Sequence, residues 1–215
     1  MSEAPPFYDR AVAHVPEAAW RAAGAVCFAV ALAYRVAYGG PEARPIYWLE
    51  TLVPALIFAA YLTREPPRTP ARGFAAVVLP FLAAGMPFLF LRPPFTGFGG
   101  AHQTLFGLLL APPTLAMLAS YVALRRSYAL MAEARSLVAR GPYALVRHPV
   151  YVSQALCGAV VVAFRFSWES AVIYVAFLAI QHARAKAEEA ALAAAHGADW
   201  QAYAARVGRY WPRFP

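Results

Sequence analysis

Charge is what this sequence has least of: only 14% of its 215 residues are Asp, Glu, Lys or Arg, against about 25% in soluble domains. Lys186 is the only lysine among the 19 basic residues, and 11 acidic residues leave a net charge of +8. Cysteine is almost absent too. Cys27 and Cys157 both lie in apolar runs with no CxxC or Cys/His spacing, which argues against a disulfide framework and a zinc site, so no metal is expected. Met1 to Pro16 has acidic residues and prolines in place of a basic stretch followed by an apolar core. No cleavable signal peptide is expected, and the first span would act as its own insertion signal. The basic residues are not interleaved with stacking aromatics on a soluble face, which argues against a nucleic-acid module, and nothing calls for an obligate protein partner.

What fills the chain instead is apolar. Its 61% apolar residues exceed the roughly 45–50% of soluble domains, and with a mean hydropathy of +0.48 it belongs in a bilayer. The apolar runs mark six spans, each to be judged against the ~20 residues needed to cross the hydrocarbon: Trp20 to Tyr38, Ile46 to Leu62, Gly73 to Leu91, His102 to Leu124, Val150 to Phe164 and Trp168 to Arg184. The fourth holds Pro112-Pro113, which predicts a kink. The fifth is short for a full crossing, and Arg165 to Glu169 joins it to the sixth as a helical hairpin. Two regions follow, 1–124 with the N-terminal spans and 125–215 with the polar motifs.

The basic residues sit at the ends of these runs. With six spans, fifteen fall on one side and three, Arg44, Arg92 and Arg165, on the other, while Arg35 lies inside the first span. That asymmetry predicts that both termini are cytoplasmic. Beyond the last span, Lys186 to His196 reads as an alanine-rich helix capped by Gly197, and Asp199 as the N-cap of a second short helix, Trp200 to Val207, the two folding back as a lid. The near-exclusive use of arginine and the abundant alanine suggest a prokaryotic inner membrane protein.

Between spans four and five lies a polar, turn-rich segment, LVARGPYALVRHPVY, from Leu137 to Tyr151. His148 before Pro149 is biased to an extended conformation, and Pro149 suits a first helical turn. A helix starting there would aim free amides at the interface, where a small carboxylate-bearing ligand docks. Glu188 and Glu189, just past the last span, offer carboxylates to a cationic or hydroxyl-rich ligand.

This segment, with Arg184-x-x-x-Glu188-Glu189-x-x-Leu192 and then Gly197, Trp200, Tyr203, Arg206-Val207 and Pro212, resembles the two motif blocks of the isoprenylcysteine carboxyl methyltransferase and phospholipid methyltransferase group of integral membrane enzymes. The resemblance covers roughly Arg126 to Pro212. It implies S-adenosylmethionine as cofactor, held by Glu133, Arg140, Gly141, Pro142, Tyr143, His148, Tyr151, Ser153, Glu188 and Glu189, and it gives Arg184 a catalytic place on the acceptor side. Ser153 stands where the family usually has glycine, and Gln154 replaces an aromatic of the eukaryotic carboxyl methyltransferases.

An activated methyl group needs positioning more than acid-base machinery. A carboxylate acceptor is already ionised and would be oriented by an arginine such as Arg184, whereas an amine must first lose a proton, for which the sequence offers only the two glutamates. The expected reaction is therefore carboxyl O-methylation of a lipophilic, isoprenylcysteine-like acceptor in the bilayer. Phospholipid N-methylation or thiol S-methylation on the same scaffold are alternatives. An NADPH-dependent, sterol-reductase-like enzyme and a non-catalytic membrane protein are the readings from other classes.

Overall fold

The computed structural model describes residues 16–38, 45–63, 65, 78–84, 86, 100–124, 127–128 and 136–213. All of its regular structure is helical: α1 (Glu17–Tyr38), α2 (Pro45–Thr63), α3 (Gly100–Leu124), a 3-10 turn (Gly141–Ala144), α4 (Pro149–Phe164) and α5 (Trp168–Arg206). Three of these, α1, α2 and α3, are long and apolar enough to cross a membrane. Of the expected third span, 78–84 and residue 86 are helical, and the remainder lies outside the described residues. At 16 residues, α4 measures about 24 Å at 1.5 Å per residue, less than the ~30 Å hydrocarbon layer.

α1 and α2 form an antiparallel pair. At one end Arg35 donates from Nε to Thr51 Oγ1 at 2.9 Å and from an Nη to the Tyr47 carbonyl at 2.7 Å; at the other, Arg21 donates to the Leu62 carbonyl. Gly24 makes this closeness possible, because a Cβ there would sit 2.1 Å from the Tyr61 ring. α3 runs parallel to α2. Gly107 faces Ile46 near their starts, and Tyr61 and Tyr121 both meet the Tyr128 ring, 5.6 Å between centroids, near their ends. Two parallel neighbours need the chain to return between them, and the helical residues 78–84 lie in that stretch of sequence.

Within α3 the helix runs on through Pro112 and Pro113. Proline removes the amides that would serve the Leu108 and Leu109 carbonyls, and next to them the Thr114 hydroxyl donates to the Leu110 carbonyl at 2.8 Å. Pro54 is likewise carried inside α2.

The hairpin of α4 and α5 turns at Arg165 to Ser167, and Ser167 caps α5 by accepting from the Ser170 amide at 3.0 Å while Ser170 Oγ accepts from the Ser167 amide at 3.1 Å. Such reciprocal capping satisfies two otherwise orphaned donors. The structure differs from the sequence reading beyond Arg184. No separate helix begins at Lys186: α5 continues unbroken to Gly197, whose φ of 50° and ψ of −118° interrupt it before the last turns. Leaving lipid changes which side chains are favourable and leaves backbone hydrogen bonding untouched, so the appearance of charge at 184–189 marks no helix end.

One apolar cluster ties the bundle together, with Ala25 of α1, Ile57 and Tyr61 of α2, Tyr121 of α3, Val150 and Tyr151 of α4 and Ala185 of α5. The outer face of α5 exposes Val172, Val175 and Leu178, a stripe suited to lipid.

Candidate functional site

The signature segment is held in place from both sides. Gly141 takes a φ of 60°, a left-handed conformation that favours glycine, and opens the 3-10 turn in which Tyr143 is buried. His148 then leaves the helical region, at φ −125° and ψ 60°, and Pro149 starts α4, as the His-Pro pair requires. On the far side the C-terminal segment runs alongside. Val146 and Gly208 form a parallel bridge, the Arg147 amide donates to the Gly208 carbonyl at 2.8 Å, and the His148 amide donates to the Arg209 carbonyl at 3.2 Å. Tyr203 adds a hydroxyl bond to the Tyr143 carbonyl at 2.7 Å.

Two adjacent carboxylates on α5 meet this loop differently. Glu189 is fully engaged: Arg209 donates to both of its oxygens, at 2.8 and 2.6 Å, Arg147 lies 3.4 Å away, and His148 Nε2 lies 3.1 Å from Oε1. Burial works against its charge, yet the bonds from His148 and Arg209, with the charges of His148 and Arg147, outweigh it and lower its pKa to about 2. An ionised carboxylate only accepts, so the His148 Nε2 must carry the proton in that contact.

Glu188 instead faces inward. Tyr151 donates its hydroxyl to Oε1, His148 Nδ1 stands 3.8 Å from Oε2, and Arg184 stands 3.8 Å from Oε1, one turn back on α5. The His148 and Tyr151 rings stack at 5.3 Å and 14°, and Arg184 lies over the Tyr151 ring at 5.0 Å. Arg184 is buried with a neutral partner, donating to Gln181 Oε1 at 2.8 Å, while Gln181 donates in turn to Gln154 at 2.5 Å.

A cavity of about 480 Å³ opens among these groups. Tyr143, His148, Tyr151, Arg184 and Glu188 line it, with Trp200 and Tyr203 from the C-terminal segment. From there it runs between the helices past Met117, Ile57, Val53 and Leu110 as far as Glu50. Burial pushes the Tyr143 pKa well above that of a free phenol, and that of Tyr203 up to about 12, so both stay neutral donors beside the charged pair.

Five residues expected at the site, Tyr143, His148, Tyr151, Arg184 and Glu188, thus share one cavity. The others stand apart from its described wall: Arg140 is exposed, Gly141 and Pro142 shape the turn, Ser153 is buried within α4, and Glu189 faces the tail. Glu133 lies outside the described residues. Sequence reasoning missed Arg147, Gln181, Arg209 and Glu50 as parts of this arrangement. Gln181 had a local signal, one turn before Arg184 on the same helical face; Arg209 had none, because its partner lies 20 residues away.

Residues 106–194 match the model of the isoprenylcysteine carboxyl methyltransferase (ICMT) family. This is the family that the two motif blocks resemble, and the match covers α4, the signature segment and α5 as far as Ala194, together with most of α3. No individual curated protein matches the chain. The matched part of the chain is thus similar to a methyltransferase family, and α1, α2 and α3 are long and apolar enough to cross a membrane.

Proposed function

We propose, from the family match over residues 106–194 and the two-part cavity, that the chain transfers a methyl group from S-adenosylmethionine to an anionic headgroup on a lipophilic acceptor at the cytoplasmic membrane face. The observation that carries this reading is the continuity of one cavity from the His148, Tyr151, Arg184 and Glu188 cluster into an apolar channel between helices. Its volume falls within the ~300–1,000 Å³ of small-molecule sites.

The residues present fit the cofactor's chemistry. S-adenosylmethionine, when bound, supplies a methyl group already activated on a sulfonium. Glu188 offers a carboxylate to its cationic or hydroxyl groups, Tyr143 and Trp200 offer ring faces, and the first amides of α4, which have no acceptor within the helix, suit its carboxylate. Arg184 holds the acceptor anion, and its bond to Gln181 fixes the direction in which the guanidinium points. Trp200, Tyr203 and the Val207 to Tyr210 stretch cover the cluster as a lid and exclude water from it. Carboxyl O-methylation of an isoprenylcysteine-like acceptor is the preferred case, because an anion needs no base, whereas an amine would require one.

A methyl-transfer assay with labelled cofactor tests this on N-acetyl-S-farnesylcysteine, phosphatidylethanolamine and a simple alkyl thiol. Label should enter the first as a base-labile ester. Label only in phosphatidylethanolamine would overturn the anionic assignment, and label in none of them would remove the acceptor class.

A further inference from the structure

Glu50 is the residue of this cavity that an apolar channel does not explain. It belongs to α2, a helix long and apolar enough to cross the membrane, and lies one turn from the end opposite the signature segment. Ionisable groups in such positions are costly and tend to be functional. One bland account is a staple between α1 and α2. Arg35, however, is already held by Thr51 Oγ1, by the Tyr47 carbonyl and by the Tyr47 ring at 4.2 Å, while its contact to Glu50 is longer, 3.3 Å. The staple accounts for Arg35; it does not account for a carboxylate on the cavity wall.

The cavity therefore has two polar ends. At one, Arg184 and Glu188 face the reacting groups; at the other stands Glu50, with Cys157 also on the wall and its Sγ 3.7 Å from Thr114 Oγ1. Between them the wall is Val53, Ile57, Leu110 and Met117. A plain hydrocarbon terminus reaching Glu50 would strip a carboxylate of its solvation and replace none of it. Arg35 already donates to that carboxylate at 3.3 Å, so a neutral donor suits its other oxygen better than a second cation.

We infer that the acceptor's chain carries a hydroxyl at the end remote from the methylated group, and that Glu50 selects for it. The inference rests on the reading of this cavity as the acceptor site, and its test uses binding to the full chain in detergent with no methyl transfer. The probes are S-alkyl-N-acetylcysteines, decyl to hexadecyl, each made with a methyl and with a hydroxyl terminus. At the best-fitting length the hydroxyl-ended probe should bind at least as tightly as its methyl-ended twin. In a wholly apolar channel it would bind about tenfold more weakly, since an unpaired hydroxyl is costly to bury.

Glu50→Leu should shift the ratio about tenfold towards the methyl-ended probe, and Glu50→Gln, which keeps an acceptor, should shift it little. Methyl-ended probes binding the unaltered chain tenfold more tightly would overturn the inference and leave the methyltransferase reading standing. Binding of neither series would overturn the acceptor-site reading and this inference together. Because the ratio in the unaltered chain decides the matter, the outcome does not depend on whether either variant folds.

Discussion

Glu188 and Glu189 differ by one position and by everything that surrounds them. Glu188 meets Tyr151, His148 and Arg184 around the cavity, whereas Glu189 joins the tail to the loop through Arg209, Arg147 and His148. A helix turns by about 100° per residue, so neighbours on α5 face different partners. The pKa of about 2 for Glu189 lies below the ordinary carboxylate value of 4.5, so its charged form stabilises the fold fully above about pH 4.5 and the contribution disappears as pH falls towards 2. The melting temperature in detergent should therefore drop between about pH 5 and pH 3 in the unaltered protein and drop less in Glu189→Gln. Equal slopes in the two proteins would mean that this carboxylate does not secure the tail.

At the scale of elements, the loop and the tail work as a pair. Gly208 accepts from the Arg147 amide, and a Cβ there would fall 1.9 Å from the Trp211 carbonyl oxygen. A backbone atom cannot rotate away, so Gly208→Ala should displace the tail at a cost of about 1–3 kcal/mol and weaken cofactor binding about tenfold or more, with helix content unchanged by circular dichroism. Unchanged affinity would separate the tail from the site. Much of the site was legible beforehand because its cues are local: the His148-Pro149 helix start, the spacing of Arg184 and Glu188 on one face, and the glycine turn at Gly141. The Val146–Gly208 bridge and the Arg209–Glu189 pair were not, since both join segments distant in sequence through contacts that no periodicity records. The helix boundary expected at Lys186 failed for a different reason: the change of composition there reports the edge of an apolar environment, and only the Gly197 backbone interrupts the helix.

For the whole molecule, the parallel course of α2 and α3 and the placement of Arg21 and the signature segment at one end agree with an odd number of crossings between 46 and 124. The bias of arginines predicts a cytoplasmic position for that end. Single cysteines introduced at Arg140 and at Arg165, in a background where Cys27 and Cys157 are alanine, should react with an impermeant reagent from the inside and the outside respectively. Labelling of position 140 from outside intact cells would reverse the orientation. The hydrophobic pattern made the long spans readable; the cavity threading them was not, because it depends on which small gaps remain after Tyr61, Tyr121 and Tyr151 pack.

If His148, Tyr151 and Glu188 hold the cofactor at the mouth of the channel, as proposed, calorimetric titration of S-adenosylmethionine into the detergent-solubilised chain shows it most directly. Binding should be saturable in the unaltered protein and in Cys27→Ala, and weakened at least about thirtyfold in both His148→Ala and Glu188→Ala, since each loses charged or hydrogen-bonded contacts in a buried site. Full affinity in both variants, with folding intact, would contradict this assignment and place the cofactor elsewhere.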